Sequence, residues 1–207
     1  MILIAAVIAG LFVGILRSWI SNQHYEIPQI RHIWLVVVAF LPQWFVFYLP
    51  ITRRSIPDQW ASIALISSQF LLLLFVWVNW FNQQLRNRFV FGLLGLGLLL
   101  NLTVILLNGG LMPISPEKVS RLVPEAPVGS WEIGSRLGTG KDIVLPLNQT
   151  HLWWLSDYFY LELPGPDVAF SLGDIIIAIG AFLTLCAWES GQKISIPIIG
   201  ENTTTAN

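Results

Sequence analysis

Five stretches of this chain are apolar over the length a helix needs to cross a bilayer: residues 2–20, 33–51, 60–81, 89–108 and 172–188. A hydrocarbon core about 30 Å thick takes roughly 20 helical residues. None of the five carries Lys or Arg at mid-depth. The runs are continuous rather than alternating and about twice the length of a barrel strand, so helix is the element they predict. Trp19, Trp34, Trp60, Trp77, Trp80 and Trp188 fall at or near the ends, where an amphipathic ring favours the headgroup zone.

Composition agrees. Of 207 residues, 55% are hydrophobic and 11% charged, against about 25% charged in soluble domains. Such a surface is built for lipid. The formal net charge is −1, and the eleven Lys and Arg stand in ones and twos. No basic stripe offers a nucleic acid its counterion release, which excludes that class of partner. The single cysteine, Cys186, lies in an apolar run, so neither a disulfide nor a zinc or iron–sulfur cluster is expected, and no metal site is assigned.

The first run lacks a positive leader, and its first basic residue, Arg17, follows it; it reads as a retained span rather than a cleaved signal. Arg17, Arg31, Arg86, Arg88 and Lys193 would share one side, against Arg53 and Arg54 in the only short loop opposite. Positive charge stays inside, which places the N-terminus outside and the C-terminus in the cytoplasm. Residues 109–171 break composition with Pro113, Pro116, Pro124, Pro127, Pro146, Pro164 and Pro166. They are expected outside the cell, folded onto the helix ends, with 147–163 as an interfacial element. The fold class is therefore an all-α integral membrane protein of five transmembrane helices with a long extracytoplasmic loop between helices 4 and 5. It divides into four spans (1–108), the loop (109–171), and a fifth span with its tail (172–207).

Three motifs carry a resemblance. LNGGLMPIS (107–115) closes a span, THLWWLSD (150–157) is similar to T-x-L-x-W-L-x-D, and FSLGDIIIAIGAF (170–182) opens the last span. Their order and spacing resemble an uncharacterised family of bacterial multi-span membrane proteins, a domain of unknown function. Leu111 stands where that pattern has Arg, and Ser156 where it has Gly. The resemblance implies a five-span protein of the bacterial cytoplasmic (inner) membrane, and no activity, substrate or cofactor.

Candidate sites follow from local chemistry. Gly109 and Gly110, ahead of Pro113, read as a helix stop; alternatively their amides admit an anionic or carbonyl ligand oriented by Asn108. Ser171 and Asp174 fit a capping box. Asp174 also sits at the membrane edge and seeks a partner, for which Arg136, Lys141 and Asn108 are candidates. Asn108, Gly109, Gly110, His151, Asp157 and Asp174 together form the predicted polar pocket. Ala6, Gly10, Gly14 and Ser18 recur every four residues as a flat helix-packing face, for a partner in this chain or in another subunit. Gln69 and Asn101 read as interhelical hydrogen-bonding groups or as the lining of a cavity. With His24 and His32 they are the candidate contacts for a quinone or pigment. Gly138-Thr139-Gly140-Lys141 fails as a phosphate loop, because the first glycine is misplaced and Asp142 replaces Ser/Thr.

Three functional readings remain. The first is a non-catalytic accessory subunit of a larger bioenergetic, photosynthetic or transport complex, in contact with membrane lipids and other integral membrane subunits. It requires no cofactor, though lipid, quinone or a chlorophyll-type pigment could sit at its surface. The second is a membrane enzyme acting on a lipid or isoprenoid at the outer face through Asp157, Asp174, His151 and Asn108. The third is a small carrier or channel, which the missing inverted repeat disfavours.

Overall fold

The computed structural model describes residues 2–22, 30–52, 54–81, 85–123, 131–162 and 167–186. His24, Arg53, Trp188 and Lys193, and with them the predicted end of the fifth span, lie outside the described residues.

Helix α1 (Ile2–Ile20) is followed by α2 (Trp34–Gln43), which widens into a π-helical turn over Trp44–Tyr48. Helices α3 (Asp58–Phe81) and α4 (Leu85–Leu107) come next. A cap then carries β1 (Met112–Ile114), α5 (Pro116–Leu122), β2 (Asp142–Val144), β3 (Phe159–Leu161) and β4 (Val168–Phe170), before α6 (Leu172–Cys186). Three helical stretches, Ile2–Ile20, Asp58–Phe81 and Arg88–Leu107, are long and apolar enough to cross a membrane.

Two apolar helices, Trp34–Tyr48 and Leu172–Cys186, are shorter. The first rises roughly 22 Å, against about 30 Å of hydrocarbon. Its shortness has a local cause. Pro42 lies inside the helix, where it lacks an N–H and crowds the preceding turn, and the helix widens just beyond it. Leu49 is already extended, at φ −70 and ψ 124, as a residue before proline prefers. The sequence-predicted span through residue 51 therefore stops at Tyr48.

The helices pack in the order α1 on α6, α6 on α4, α4 on α3 and α3 on α2, an open arc with α1 and α2 at its ends. Glycine permits the tightest approaches. A Cβ on Gly10 would stand 2.9 Å from the Phe182 carbonyl oxygen, and one on Gly97 would stand 2.6 Å from that of Gly173. The α1 face of Gly10, Gly14 and Ser18 is buried, with Ala6 half-buried beside it. Ile4, Ile8, Phe12, Ile15 and Trp19, on the opposite face, are all exposed. An outward stripe of that kind suits hydrocarbon or a neighbouring apolar helix.

One core joins the bundle to the cap through Ala61, Leu65, Val104, Ile105, Leu111 and Leu155. Leu35, Phe75, Val76, Phe91 and Leu98 fill the other end of the bundle. In the cap, β1 and β2 run parallel and β3 and β4 antiparallel. The stretch predicted as an interfacial element comprises 3-10 turns at Leu147–Gln149 and Trp153–Leu155 and the strand β3. Trp153 and Trp154 are about half-exposed there.

Candidate functional site

Inside the arc lies a cavity of about 420 Å³, within the size range of small-molecule sites. The helices α1, α2, α3, α4 and α6 and the cap all border it. Its polar lining includes Gln43, Gln69, Asn101, Lys141 and Asp174; its apolar lining includes Val36, Phe40, Leu72, Leu98 and Ile177. α1 contributes Ile2 and Leu3. The end helices α1 and α2 are not among the closely packed pairs, so the concave side of the arc is its least filled flank.

Asn101, buried on α4, donates from Nδ2 to Asp174 Oδ1 at 2.8 Å and accepts at Oδ1 from Ser171 Oγ at 2.7 Å. Ser171 and Asp174 also complete the capping box: Asp174 N–H donates to Ser171 Oγ at 3.0 Å, and Ser171 N–H donates to Asp174 Oδ2 at 3.2 Å. Both Asp174 oxygens are thus engaged. Gln69 on α3 faces the same space without such support. It is 9% exposed, and its Oε1 is buried with no hydrogen-bond partner among the described residues. An orphaned amide oxygen costs free energy until a donor reaches it, and Gln69 is among the residues that border the cavity.

At the cap, Lys141 Nζ donates to Asp157 Oδ2 at 2.7 Å and stands 3.4 Å from Asp142 Oδ1. The pairing of β1 with β2 brings them together, since Met112 N–H donates to the Lys141 carbonyl and Asp157 N–H to that of Pro113. The Asp157 side chain is 2% exposed, and its Oδ1 has no hydrogen-bond partner among the described residues. Burial pushes the Asp157 carboxyl up to about 7, against the opposing pull of Lys141. Burial lowers the Lys141 ammonium, but the carboxylates of Asp142, Asp157 and Asp174 outweigh it and hold Lys141 well above its usual value.

The predicted polar pocket is divided. Asn108 does not reach Asp174. It clamps one peptide unit of the cap, donating from Nδ2 to the His151 carbonyl at 2.9 Å and accepting at Oδ1 from His151 N–H at 2.8 Å. Its other amide hydrogen goes to Val104 O. Gly109 adopts φ +83, and Gly110 N–H donates to Ile105 O at 2.8 Å, which is helix-terminating geometry. Of the basic candidates for Asp174, Lys141 pairs with Asp157 and Asp142, and Arg136 lies 3.3 Å from Asp58. Of the quinone or pigment candidates, Gln69 and Asn101 border the cavity, whereas His32 is exposed and accepts from Trp34 Nε1. His24 lies outside the described residues. Among the described residues no group of three or more His, Cys, Asp or Glu is arranged to hold a metal ion.

Asn79 is a polar residue within an apolar run, whose expected use is an interhelical hydrogen bond; it holds a loop peptide instead. It is fully buried and holds Arg31 as Asn108 holds His151: Oδ1 accepts from Arg31 N–H at 2.8 Å, and Nδ2 donates to the Arg31 carbonyl at 2.9 Å and to Phe75 O.

Comparison with known proteins gives one family. A family model described as a family of unknown function, DUF5317, matches residues 28–186. No curated protein and no solved structure matches the chain.

Proposed function

The chain belongs to the DUF5317 family, a family of unknown function, and on that premise we propose that it is a non-catalytic, multi-pass subunit of the bacterial cytoplasmic membrane. In this reading α1, α2, α3, α4 and α6 are five crossings, the N-terminus and the cap lie outside, and the C-terminus is cytoplasmic. The protein packs beside larger membrane proteins through its outward apolar faces.

One observation carries the reading. The residues that chemistry at the outer face would need are engaged in holding the fold: Asn108 clamps the His151 peptide, Asp174 caps α6 and accepts from Asn101, and Asp157 pairs with Lys141. General acid–base work needs a group within reach of a reacting atom rather than one tied into a cap. The exposed stripe on α1 supports the packing role, because its five large side chains are too apolar for water.

Purification in mild detergent tests this. The chain is expected to bring down integral membrane proteins in fixed stoichiometry. A monodisperse monomer that turns over a lipid or isoprenoid would favour an enzyme instead.

A further inference from the structure

We propose that the cavity inside the helix arc binds a neutral lipid with a hydroxyl-bearing head, its alcohol bonded to the Gln69 amide and its chain lying between α1 and α2. Three observations lead there. The first is the lining, which is polar at Gln69, Asn101, Asp174 and Lys141 and apolar at Val36, Leu72, Leu98 and Ile177, a division that matches an amphipathic molecule.

The second is the state of the polar groups. Asn101 and Asp174 are satisfied by each other and by Ser171, whereas Gln69 Oε1 is buried and unpaired among the described residues. An oxygen acceptor calls for a donor. A hydroxyl supplies one and can also accept from the amide nitrogen; the carbonyl of an ester or a quinone can only accept.

The third is charge. Among the described residues, the charged groups that border the cavity are the Asp174 carboxylate and the Lys141 ammonium, opposite in sign. Lys141 is moreover already held by Asp157 and Asp142. A phosphate head would meet an ammonium neutralised by two carboxylates and a third carboxylate nearby, so anionic lipids are disfavoured.

Access follows from the fold. Ile2 and Leu3 of α1 and Val36 and Phe40 of α2 line the cavity, while α1 and α2 do not pack closely on each other. A chain can leave laterally between them. The head would lie close beneath the cap, since Met112, Lys141 and Phe170 also border the space. The inference rests on the bundle lying in a bilayer and not on the presence of partner subunits.

The test uses the full chain, purified from membranes in mild detergent, and a diacylglycerol carrying a photoreactive diazirine in one acyl chain. Labelling is expected on peptides of α1 and α2, between which the acyl chain lies. Unlabelled diacylglycerol should compete, and phosphatidic acid of the same chains should not. Gln69→Met keeps the shape and removes the amide, and should lower labelling at least about fivefold, the effect of one hydrogen bond. The same substitution removes an unpaired buried group, so it should raise the melting temperature of the ligand-free protein by about 2–4 °C. Labelling unchanged in Gln69→Met, equal competition by phosphatidic acid, or labelling spread evenly over the exposed faces would each overturn the proposal. So would a melting temperature that falls in Gln69→Met, because Gln69 would then be a structural bond. A protein that extracts only with detergent yet fails these tests loses the ligand and keeps its membrane placement.

Discussion

Asn101 and Asp174 lie on different helices and meet at 2.8 Å, with Ser171 closing the third side through its hydroxyl at 2.7 Å from Asn101. This is the polar joint between α4 and α6, set beside the close approach of Gly97 to Gly173. Asn101→Leu would strand the Ser171 hydroxyl and one Asp174 oxygen in a buried site. The expected cost is about 1–3 kcal/mol, read as a lower thermal midpoint in detergent. Asp174→Asn should act in the same direction, since one of its two acceptor oxygens becomes a donor facing a donor.

The joint also shows what was legible beforehand. Ser171-x-x-Asp174 declared the cap, and Gly109-Gly110 declared the end of α4, because both are local rules with a three- or five-residue reach. The partner of Asp174 was not legible. Asn101 and Asn108 are seven residues apart, so they share a helix face but differ in depth by about 10 Å. Periodicity gives the face. Depth depends on how α4 and α6 slide against each other, which Gly97 and Gly173 decide. Lys141 reaches Asp157 through a parallel pairing of distant strands, for which one sequence carries no register signal. The apolar runs gave the helices to within a few residues, except where Pro42 widened α2.

Two glycines separate steric from conformational cost. Gly97→Ala would set a methyl 2.6 Å from backbone oxygen Gly173 O, and the neighbouring helix cannot yield locally. Gly109→Ala meets nothing within 4 Å but holds φ +83, a strain of about 1 kcal/mol. Gly97→Ala should therefore lower the thermal midpoint distinctly more than Gly109→Ala.

The two asparagine clamps should behave independently. Asn79→Ala frees the Arg31 peptide and Asn108→Ala the His151 peptide, each at an expected cost of about 1–3 kcal/mol. They hold different loops and share no partner. A double-mutant cycle should give a coupling under about 0.5 kcal/mol.

Asp157 sets a pH dependence. Its folded value of about 7 lies above the ordinary 3.8, so the folded protein binds the proton more tightly than the unfolded chain. Stability from this group is full below about pH 4, declines as pH rises toward 7, and is flat above that. The thermal midpoint of the wild type should fall over that window relative to Asp157→Asn, whose side chain does not titrate. Parallel curves would remove the carboxyl from the account.

The most direct measurement is the side of the membrane on which the cap lies. In a Cys186→Ala background, Glu132→Cys places a thiol on the exposed cap, and Ser21→Cys places one just beyond α1. An impermeant maleimide added to intact cells should label Glu132→Cys, and should label Ser21→Cys only after lysis. Labelling of both before lysis, or of Glu132→Cys only afterwards, would contradict a bundle that crosses the bilayer with its cap outside.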